Sequence, residues 1–487
     1  MVAARQISLA GRDRNEVSQL ASELSRENRN LTNNAYFAAS ARSGFGPSSS
    51  ILIGDKSEIP LLAPAGEDIL EYRIALLANA DDLIVLAGDR NPAFESYLGN
   101  LLGLETLQVL HARQPANGPS LATARRCVED PVLSGRLADH VRTHRGATLL
   151  PHISTGSVWA LAKLLHERTQ EKIFVAAPPP NLASRVNDKI WFADIAIRLL
   201  GAEAVPPCVS AFGPAALTGH VRRLVQSYEK IVVKIPNSAG SAGNFPIRSA
   251  AVRGLGAKAL RNYLMNLISA TGWSNTYPLM VEVWDCNVLS SPSVQMWIPD
   301  PDDGDPVIEG VFDQVLTGEE GRFVGAGSAD LLPDWDTKLC RDAMKLALLF
   351  QNLGYFGRCS FDSVIAGDDY ANATLHWIEC NGRWGGVSLP MTFMNRLFSP
   401  DTQPAYIVVQ RADLAFKANP FEEAVRNLGA LVYRPDGPPE GIVFLAPKGI
   451  ETGQSLQMIS IGVTPDDAMR RVDHVIACLC GFRGNPP

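Results

Sequence analysis

The chain has 487 residues, of which 46% are hydrophobic and 20% charged, so it can fill the cores of several domains and is not disordered. Its 44 Lys and Arg against 51 Asp and Glu give a formal charge of −7, which argues against nucleic-acid binding and anionic-membrane binding. No run approaches the roughly 18 apolar residues of a membrane span, and the eight cysteines form no CxxC pair. We therefore expect a cytoplasmic protein with reduced thiols and with neither nucleic-acid nor membrane partners.

Short apolar runs alternate with helical stretches through the first third of the chain. Strands that alternate with helices predict a parallel sheet covered on both faces. The predicted strands are Ser50–Gly54, Asp82–Gly88, Thr106–His111, Ala147–Pro151 and Lys172–Ala176, and the helices include Gly66–Ala80 and Ser154–Thr169. Residues 1–48 are polar and are predicted to be mainly loop, with a polar helix over Arg14–Arg29. The run Pro178-Pro179-Pro180 predicts a domain boundary near residue 180.

The remaining chain mixes helices with strands that pair as hairpins, and residues 294–328 in particular predict antiparallel pairing. The overall fold class is therefore α/β, with α+β lobes after the first domain. The predicted helices are Asn187–Leu200, Ala215–Tyr228, Leu255–Ser269, Asp336–Leu353 and Thr464–Cys478. The predicted strands are Lys230–Ile235, Leu279–Trp284, Arg358–Ile365, Thr374–Asn381, Ala405–Gln410, Gly441–Leu445 and Met458–Val463.

A loop of small residues follows the strand that ends in Lys234. The sequence KIVVKIPNSAGSAG places Ser238, Gly240, Ser241 and Gly243 where backbone N–H groups can approach phosphate oxygens. A flexible surface loop after an ordinary strand explains the same sequence equally well. It is not a Walker loop, because the lysine precedes the glycines.

The segment TLHWIECNGRWGG carries the second candidate site. Side chains two apart share one face of a strand, so Glu379, Asn381 and Arg383 project together. A short hairpin would bring Asp362 beside Glu379, and carboxylate and amide oxygens are ligands that Mg²⁺ accepts. Arg383 would then contact a phosphate oxygen through its planar fork. A polar sheet edge with one ion pair is the alternative.

These elements, in this order, resemble the ATP-grasp superfamily of carboxylate–amine ligases. The resemblance covers about residues 185–395, and the segment 50–180 is similar to the preATP-grasp domain that precedes this fold. Within the superfamily the chain most resembles the actinobacterial peptide ligase of pheganomycin biosynthesis. Three departures from the family pattern are a looser Gly-Val-Pro turn at Gly201–Pro206, Gly382 before Arg383, and Arg358 four residues before Asp362.

The resemblance implies ATP and Mg²⁺ as cofactors and assigns a role to each matched residue. Nucleotide contacts are implied for Lys189, Lys234, Ser238, Gly240, Ser241, Gly243, Glu282, Val283 and Trp284. Metal ligands are implied at Asp362, Glu379 and Asn381, and catalytic roles at Arg383, Lys234 and Arg358. Glu282 would accept from the adenine amino group.

The implied activity is ATP-dependent amide formation between an acid and an amine or peptide, in natural product or antibiotic biosynthesis. A homodimer is compatible with this interpretation. The implied domains are a preATP-grasp-like domain (1–180), a nucleotide-binding small lobe (181–285), a metal-binding large lobe (286–399) and a C-terminal α/β region (400–487). The alternative is an ATP-grasp protein that binds nucleotide without catalysis or with different chemistry. An oxidoreductase is disfavoured because Gly44-Phe45-Gly46 precedes the first strand and lacks the third glycine of a dinucleotide fingerprint.

Overall fold

The computed structural model describes residues 5–32, 34–62, 70–113, 121–273, 275–399, 401–412 and 414–481. Within these ranges, no helix is both long enough and apolar enough to cross a bilayer. Three large sheets organise the described chain. Each packs against an apolar core of its own, and the first and third sheets also share a further core.

The first sheet is parallel and six-stranded. Its spatial order is Ala41–Ser43, Ile173–Val175, Ala147–Pro151, Ser50–Ile53, Leu83–Leu86 and Gln108–His111. The five predicted strands are all present, and the additional edge strand at residue 41 is short and polar, which is why the sequence pattern did not reveal it. Alternate side chains of the central strands enter different cores, so both faces are covered and the runs are continuously apolar.

Helices cover this sheet, and part of the predicted helix Gly66–Ala80 lies outside the described residues. The structure has a 3₁₀ helix at Glu71–Leu77 instead of a regular α-helix over that stretch. The α-helices of this part of the chain are Ala35–Ala38, Pro92–Leu102, Thr123–Glu129, Pro131–His144, Gly156–Thr169 and Pro180–Val186.

The second sheet is antiparallel and four-stranded, with the order Asn244–Arg248, Lys230–Lys234, Leu279–Val283 and Cys208–Ala211. Helices Pro214–Ser227 and Ala257–Ser269 pack their apolar stripes on it. The two predicted strands here are confirmed. The loop predicted after Lys234 is interrupted by Ser238–Ala239, which pairs in parallel with Leu61–Leu62 of the first domain. A short helix, Ser249–Val252, and a 3₁₀ turn, Ala202–Ala204, complete this region.

The third sheet is antiparallel and nine-stranded. Its order is Val288–Ser290, Gly357–Ala366, Pro292–Ile298, Val307–Thr317, Arg322–Ser328, Ala405–Arg411, Leu456–Gly462 and Gly441–Phe444, with Thr374–Asn381 also paired to Gly357–Ala366. Helices Lys189–Leu200 and Pro333–Asn352 pack against it. The polar N-terminal helix Gly11–Glu27 packs on Pro333–Asn352, where Arg341 pairs with the buried Asp13.

Strands from the last part of the chain thus extend the sheet that carries residues 357–381. Side chains of these C-terminal strands also share an apolar core with one face of the parallel sheet. The division of the chain into four domains therefore stays a prediction. The C-terminal helix Pro465–Leu479 begins with a capping box between Thr464 and Asp467. The remaining helices are Ser388–Leu397, Phe421–Leu428 and Lys448–Thr452, with 3₁₀ turns at Pro301–Asp303 and Gly429–Leu431.

Candidate active site

A cavity of about 620 Å³ lies where the three sheets meet. Its walls come from all three, so distant segments of the chain contribute side chains to one space. The predicted site residues that line it are Lys189, Lys234, Gly240, Ser241, Glu282, Val283, Trp284, Asp362, Glu379, Asn381 and Arg383.

Asp362 and Glu379 lie directly opposite each other on adjacent antiparallel strands, as the predicted hairpin requires. The amide of Asn381 donates to Asp362 Oδ2 at 2.8 Å, and the hydroxyl of Ser293 donates to Asp362 Oδ1 at 2.6 Å. Ser293 enters from the neighbouring strand Pro292–Ile298, where it is paired with Asp362. Two carboxylates and one amide therefore converge on one wall of the cavity.

The electrostatics of this pair suit a divalent cation. Burial, followed by repulsion from Glu379, raises the pKa of Asp362 to about 6. Burial also acts to raise the pKa of Glu379, but attraction by Lys189, Arg383 and Lys234 outweighs it and holds that pKa below its usual range. Within the described ranges, no group of three His, Cys, Asp or Glu side chains is placed to hold a metal alone. The observed donors therefore fit Mg²⁺ in its usual form, with few carboxylates and further oxygens from phosphates or water.

Lys189 begins the helix Lys189–Leu200, which Asp188 caps by accepting from the backbone N–H groups of Ile190 and Trp191. This cap fixes the helix start, and the Lys189 ammonium is buried within reach of the carboxylate wall. It donates to Glu379 Oε2 at 2.8 Å and to the carbonyl oxygen of Ser238 at 2.9 Å. Lys189 thus connects Glu379 with the loop of small residues.

Lys234 and Glu282 form a buried ion pair between neighbouring strands of the second sheet. The two side chains are 3% and 4% exposed, so each charge depends on the other for compensation. Burial raises the pKa of Glu282, and Lys234 opposes that effect. Glu282 lines the cavity with its carboxylate engaged by Lys234, and its predicted contact with an adenine amino group stays a prediction.

The loop of small residues is divided between two roles. Gly240 and Ser241 line the cavity, and both have a left-handed backbone with φ of 62°. Ser238 and Gly243 do not line it: the Ser238 hydroxyl donates to Ile235, and a Cβ on Gly243 would lie 2.3 Å from that hydroxyl. In the structure Ser238 and Gly243 pack the loop, and the nucleotide contacts predicted for them stay predictions.

Arg383 is held at the end of strand Thr374–Asn381 by two amide oxygens. Its guanidinium donates to Asn187 Oδ1 and, at 2.6 Å, to Asn381 Oδ1. Asn187 also accepts from the backbone N–H of Gly382 at 3.1 Å. Burial lowers the pKa of Arg383. Both hydrogen-bond partners are neutral, and attraction to Glu379 and Asp362 opposes the effect of burial on the pKa of Arg383. An anion in the cavity could therefore accept a charge-assisted hydrogen bond from this guanidinium.

Arg358 is not in this cavity, and its predicted catalytic position is corrected. Arg358 lies four residues before Asp362. At roughly 3.3 Å per residue along a strand, it is therefore well separated from the carboxylates of Asp362 and Glu379. There it pairs with Glu309 and packs between the rings of Trp297 and Trp384. Burial lowers the pKa of Arg358 to about 9. It lines a second cavity of about 740 Å³ between the third sheet and residues 45–50.

Sequence reasoning missed three cationic or titratable side chains from the first domain that also line the main cavity: Lys56, Arg73 and His152. His152 directly follows strand Ala147–Pro151, and Lys56 follows the adjacent strand Ser50–Ile53. Ligand sites form at the carboxyl ends of neighbouring parallel strands, so this position was the available signal. Arg73, in a 3₁₀ helix that no pattern predicted, carried no such signal.

The family described as the Pre ATP-grasp domain matches residues 71–166 of the chain. The comparison with curated proteins found no match. Three solved structures are similar over most of the chain, at 11–13% identity, each with a TM-score of 0.53.

The first is an N5-carboxyaminoimidazole ribonucleotide synthetase in complex with ADP, at 11% identity, with 89% of this chain and 97% of that chain covered. The second is the biotin carboxylase domain of the Hydrogenobacter thermophilus 2-oxoglutarate carboxylase with MgADP, ADP and bicarbonate, at 11% identity and 88% and 89% coverage. The third is a biotin carboxylase from Campylobacter jejuni in complex with an ATP analogue, at 13% identity and 88% and 90% coverage. These likenesses show the predicted fold, a preATP-grasp domain followed by an ATP-grasp fold.

Proposed function

We propose that this protein is an ATP-dependent carboxylate–amine ligase that uses Mg²⁺. The observation that carries the proposal is the convergence of Asp362, Glu379 and Asn381 with Lys189 and Arg383 on one cavity. Structures of the same fold contain ADP or MgADP, which supports nucleotide and metal use by this chain.

The cavity provides separate places for the parts of such a nucleotide. Val283 and Trp284 line it beside the strand Leu279–Val283, where the adenine would lie. Lys234, Lys189 and the backbone at Gly240 and Ser241 would hold the phosphates. Asp362, Glu379 and Asn381 would hold Mg²⁺, which neutralises charge on the β- and γ-phosphates when bound.

The reaction needs no protein nucleophile. An oxygen of the substrate carboxylate attacks the γ-phosphorus, the bond to the β–γ bridging oxygen breaks, and ADP leaves with that electron pair. The amine nitrogen of the second substrate then attacks the carbonyl carbon of the acyl phosphate, inorganic phosphate leaves, and the amine gives up a proton. Bringing these groups together in a water-poor site is the main task of the protein.

Arg383 suits the charge that develops in both steps. Its half-buried guanidinium lies beside the carboxylates of Asp362 and Glu379 and is held in place by neutral amide oxygens, so a transferring phosphoryl group or an oxyanion would find a fixed positive charge. Lys189 would exchange its contact with Glu379 for a phosphate oxygen when the carboxylate binds the metal. The finer proposal, based on the resemblance to the ligase of pheganomycin biosynthesis, is that the amine is a peptide N-terminus.

Hydroxylamine tests the proposal without knowledge of the natural amine, because it traps acyl phosphates as hydroxamates. We expect ADP release with a panel of carboxylic acids to depend on Mg²⁺ and to match hydroxamate formation one to one. The comparison protein is Asp369→Asn, which removes a carboxylate from an exposed turn. MgADP binding without acid-dependent ADP release across the panel would instead indicate a nucleotide-binding protein without ligase activity.

A further inference from the structure

Three basic side chains line the side of the cavity formed by the first domain. Lys56, Arg73 and His152 line it together with Arg383. Repulsion from Arg73 and Arg383 acts on both Lys56 and His152, so these groups lie close enough to influence each other. The proposed nucleotide and metal residues come from residues 189–381, so this group, called here the basic cluster (Lys56, Arg73 and His152), is additional to them.

The cluster has no negative partner in the part of the chain that the structure describes. Arg73 is 2% exposed and donates to two neutral oxygens, Gln410 Oε1 at 3.2 Å and the carbonyl of Gly386 at 2.5 Å. Its Nε atom has no hydrogen-bond partner. No carboxylate pairs with Lys56 or with the His152 ring within the described ranges. Burial and the neighbouring cations lower the pKa of both groups well below their ordinary values.

A buried charge without a counter-charge is costly, so an anion bound in the cavity would stabilise the buried guanidinium of Arg73. The phosphates of the nucleotide are not that anion in the proposed arrangement, because they already lie against Lys189, Lys234 and the proposed metal ligands. Arg383 already serves the reacting carboxylate and the transferring phosphoryl group. The charges of Lys56 and Arg73 therefore remain for another anionic group in the same cavity.

The position of the cluster shows where that group would lie. The backbone N–H of Trp384 donates to the carbonyl of His152 at 3.0 Å, so His152 is joined directly to the residue after Arg383. Gly386, which accepts from Arg73, lies two residues further along the same loop. An acid whose reacting carboxylate meets Arg383 would thus extend its other end towards the first domain.

We propose that Lys56, Arg73 and His152 bind a second anionic group of the acid substrate, a carboxylate or a phosphate, distinct from the carboxylate activated beside Arg383. The inference rests on the proposed ligase function and narrows its substrate class to dianionic acids. Lys56 and His152 contact the anion, and Arg73 adds a fixed charge behind them.

Direct binding tests the proposal. Calorimetry on the MgADP-loaded protein would compare dicarboxylates from malonate to adipate, and 4-phosphonobutyrate, with monocarboxylates of the same chain length. We expect at least one dianionic acid to bind about tenfold or more tighter than its monocarboxylate, as a charge-assisted contact predicts. Lys56→Met should reduce this ratio of affinities to near one, whereas Lys56→Arg should keep most of the wild-type ratio. The control Lys172→Met removes an exposed lysine of the same domain and should leave the ratio unchanged.

Three results would overturn the inference: equal binding of dianionic and monoanionic acids, equal weakening of both by Lys56→Met, or a loss of MgADP affinity in that variant. The dicarboxylate and phosphonate arms identify which anion fits better. The hydroxamate assay separates this inference from the proposed function. Hydroxamate formation with no preference for dianionic acids refutes only the anion site, whereas dianion binding without any hydroxamate refutes only the ligase activity.

Discussion

Asp362 and Glu379 lie directly opposite each other on two antiparallel strands, so two half-buried carboxylates line the same wall of the cavity. Like charges at this distance repel, which is visible in the raised pKa of Asp362. Lys189 offsets part of this repulsion by donating to Glu379 at 2.8 Å, and a carboxylate whose pKa is raised inside a cavity is a candidate for metal binding or catalysis. The position of this pair is the basis of the first prediction.

Replacing either carboxylate with its amide should remove Mg²⁺-dependent turnover. In Asp362→Asn and Glu379→Gln we expect at least a hundredfold loss of ADP release, because the metal would lose one of its charged ligands. The free energy of unfolding without metal should not fall in Asp362→Asn, since a repulsive charge is removed. Titration of Mg²⁺ against ADP release and urea unfolding would check both. Unchanged Mg²⁺ dependence would place the metal elsewhere.

Arg383→Ala should lower turnover far more than nucleotide affinity. The loss of one donor to a developing oxyanion typically costs about 10²–10³ in rate. Arg383→Lys should recover only part of this, because a lysine cannot donate simultaneously to Asn187 and Asn381 as the planar fork does. Steady-state kinetics and MgADP calorimetry separate the two effects, and an equal loss in both would contradict the role assigned to Arg383.

Gly382 has no room for a side chain. A Cβ there would lie 2.3 Å from Val186 Cγ2 and 3.0 Å from Asn187 Nδ2, so Gly382→Ala must displace the residue that holds Arg383. We expect a loss of about 1–3 kcal/mol in the free energy of unfolding and a fall in turnover. Gly385→Ala is the matched control, since its Cβ would meet only Ser388 Oγ at 3.7 Å. Similar behaviour of the two variants would argue against a steric cause.

The Lys234–Glu282 pair should contribute to both stability and nucleotide binding. Glu282→Gln leaves the buried Lys234 ammonium without its counter-charge and should cost about 3–5 kcal/mol. The double variant Lys234→Met, Glu282→Leu should regain most of that stability and still bind MgADP poorly. Urea unfolding would measure the regained stability, and calorimetry would measure the weakened binding of MgADP. A double variant that binds MgADP normally would remove Lys234 from the phosphate site.

His140 should make the protein less stable in mild acid. Burial, followed by repulsion from His144, lowers the pKa of His140 to about 4, and its ring contacts the Ser49 hydroxyl at 2.9 Å. The unfolded chain protonates this group near pH 6.5, so stability is complete above that pH and falls as pH drops towards 4. Because the ring is partly exposed, we expect the protonation of His140 to lower the free energy of unfolding by only about 1–2 kcal/mol.

His140→Gln should therefore reduce the loss in the free energy of unfolding between pH 7 and pH 4.5, measured by urea titration at each pH. His474→Gln, at an exposed position of the C-terminal helix, is the control and should leave the pH profile unchanged. A profile that is identical in wild type and His140→Gln would assign the acid sensitivity to other groups.

Much of the candidate site was predictable because its geometry is local. Alternation along Thr374–Asn381 puts Glu379 and Asn381 on one face, and the short connection to the preceding strand brings Asp362 opposite Glu379. The apolar runs of the first domain likewise predict buried parallel strands, since their side chains are covered on both faces. In each case the pattern repeats within a few residues, so the backbone itself dictates which side chains meet.

The tertiary structure alone decided which remote segments share the cavity. Lys56, Arg73 and His152 join Arg383 only because the first domain packs against the loop after residue 381. Arg358 does not line this cavity, because its guanidinium packs against the rings of Trp297 and Trp384 at another position along the strand. The strands after residue 400 complete the third sheet through pairing across long sequence distances. Such contacts depend on complementary surfaces of separate elements, which no periodicity within one segment encodes.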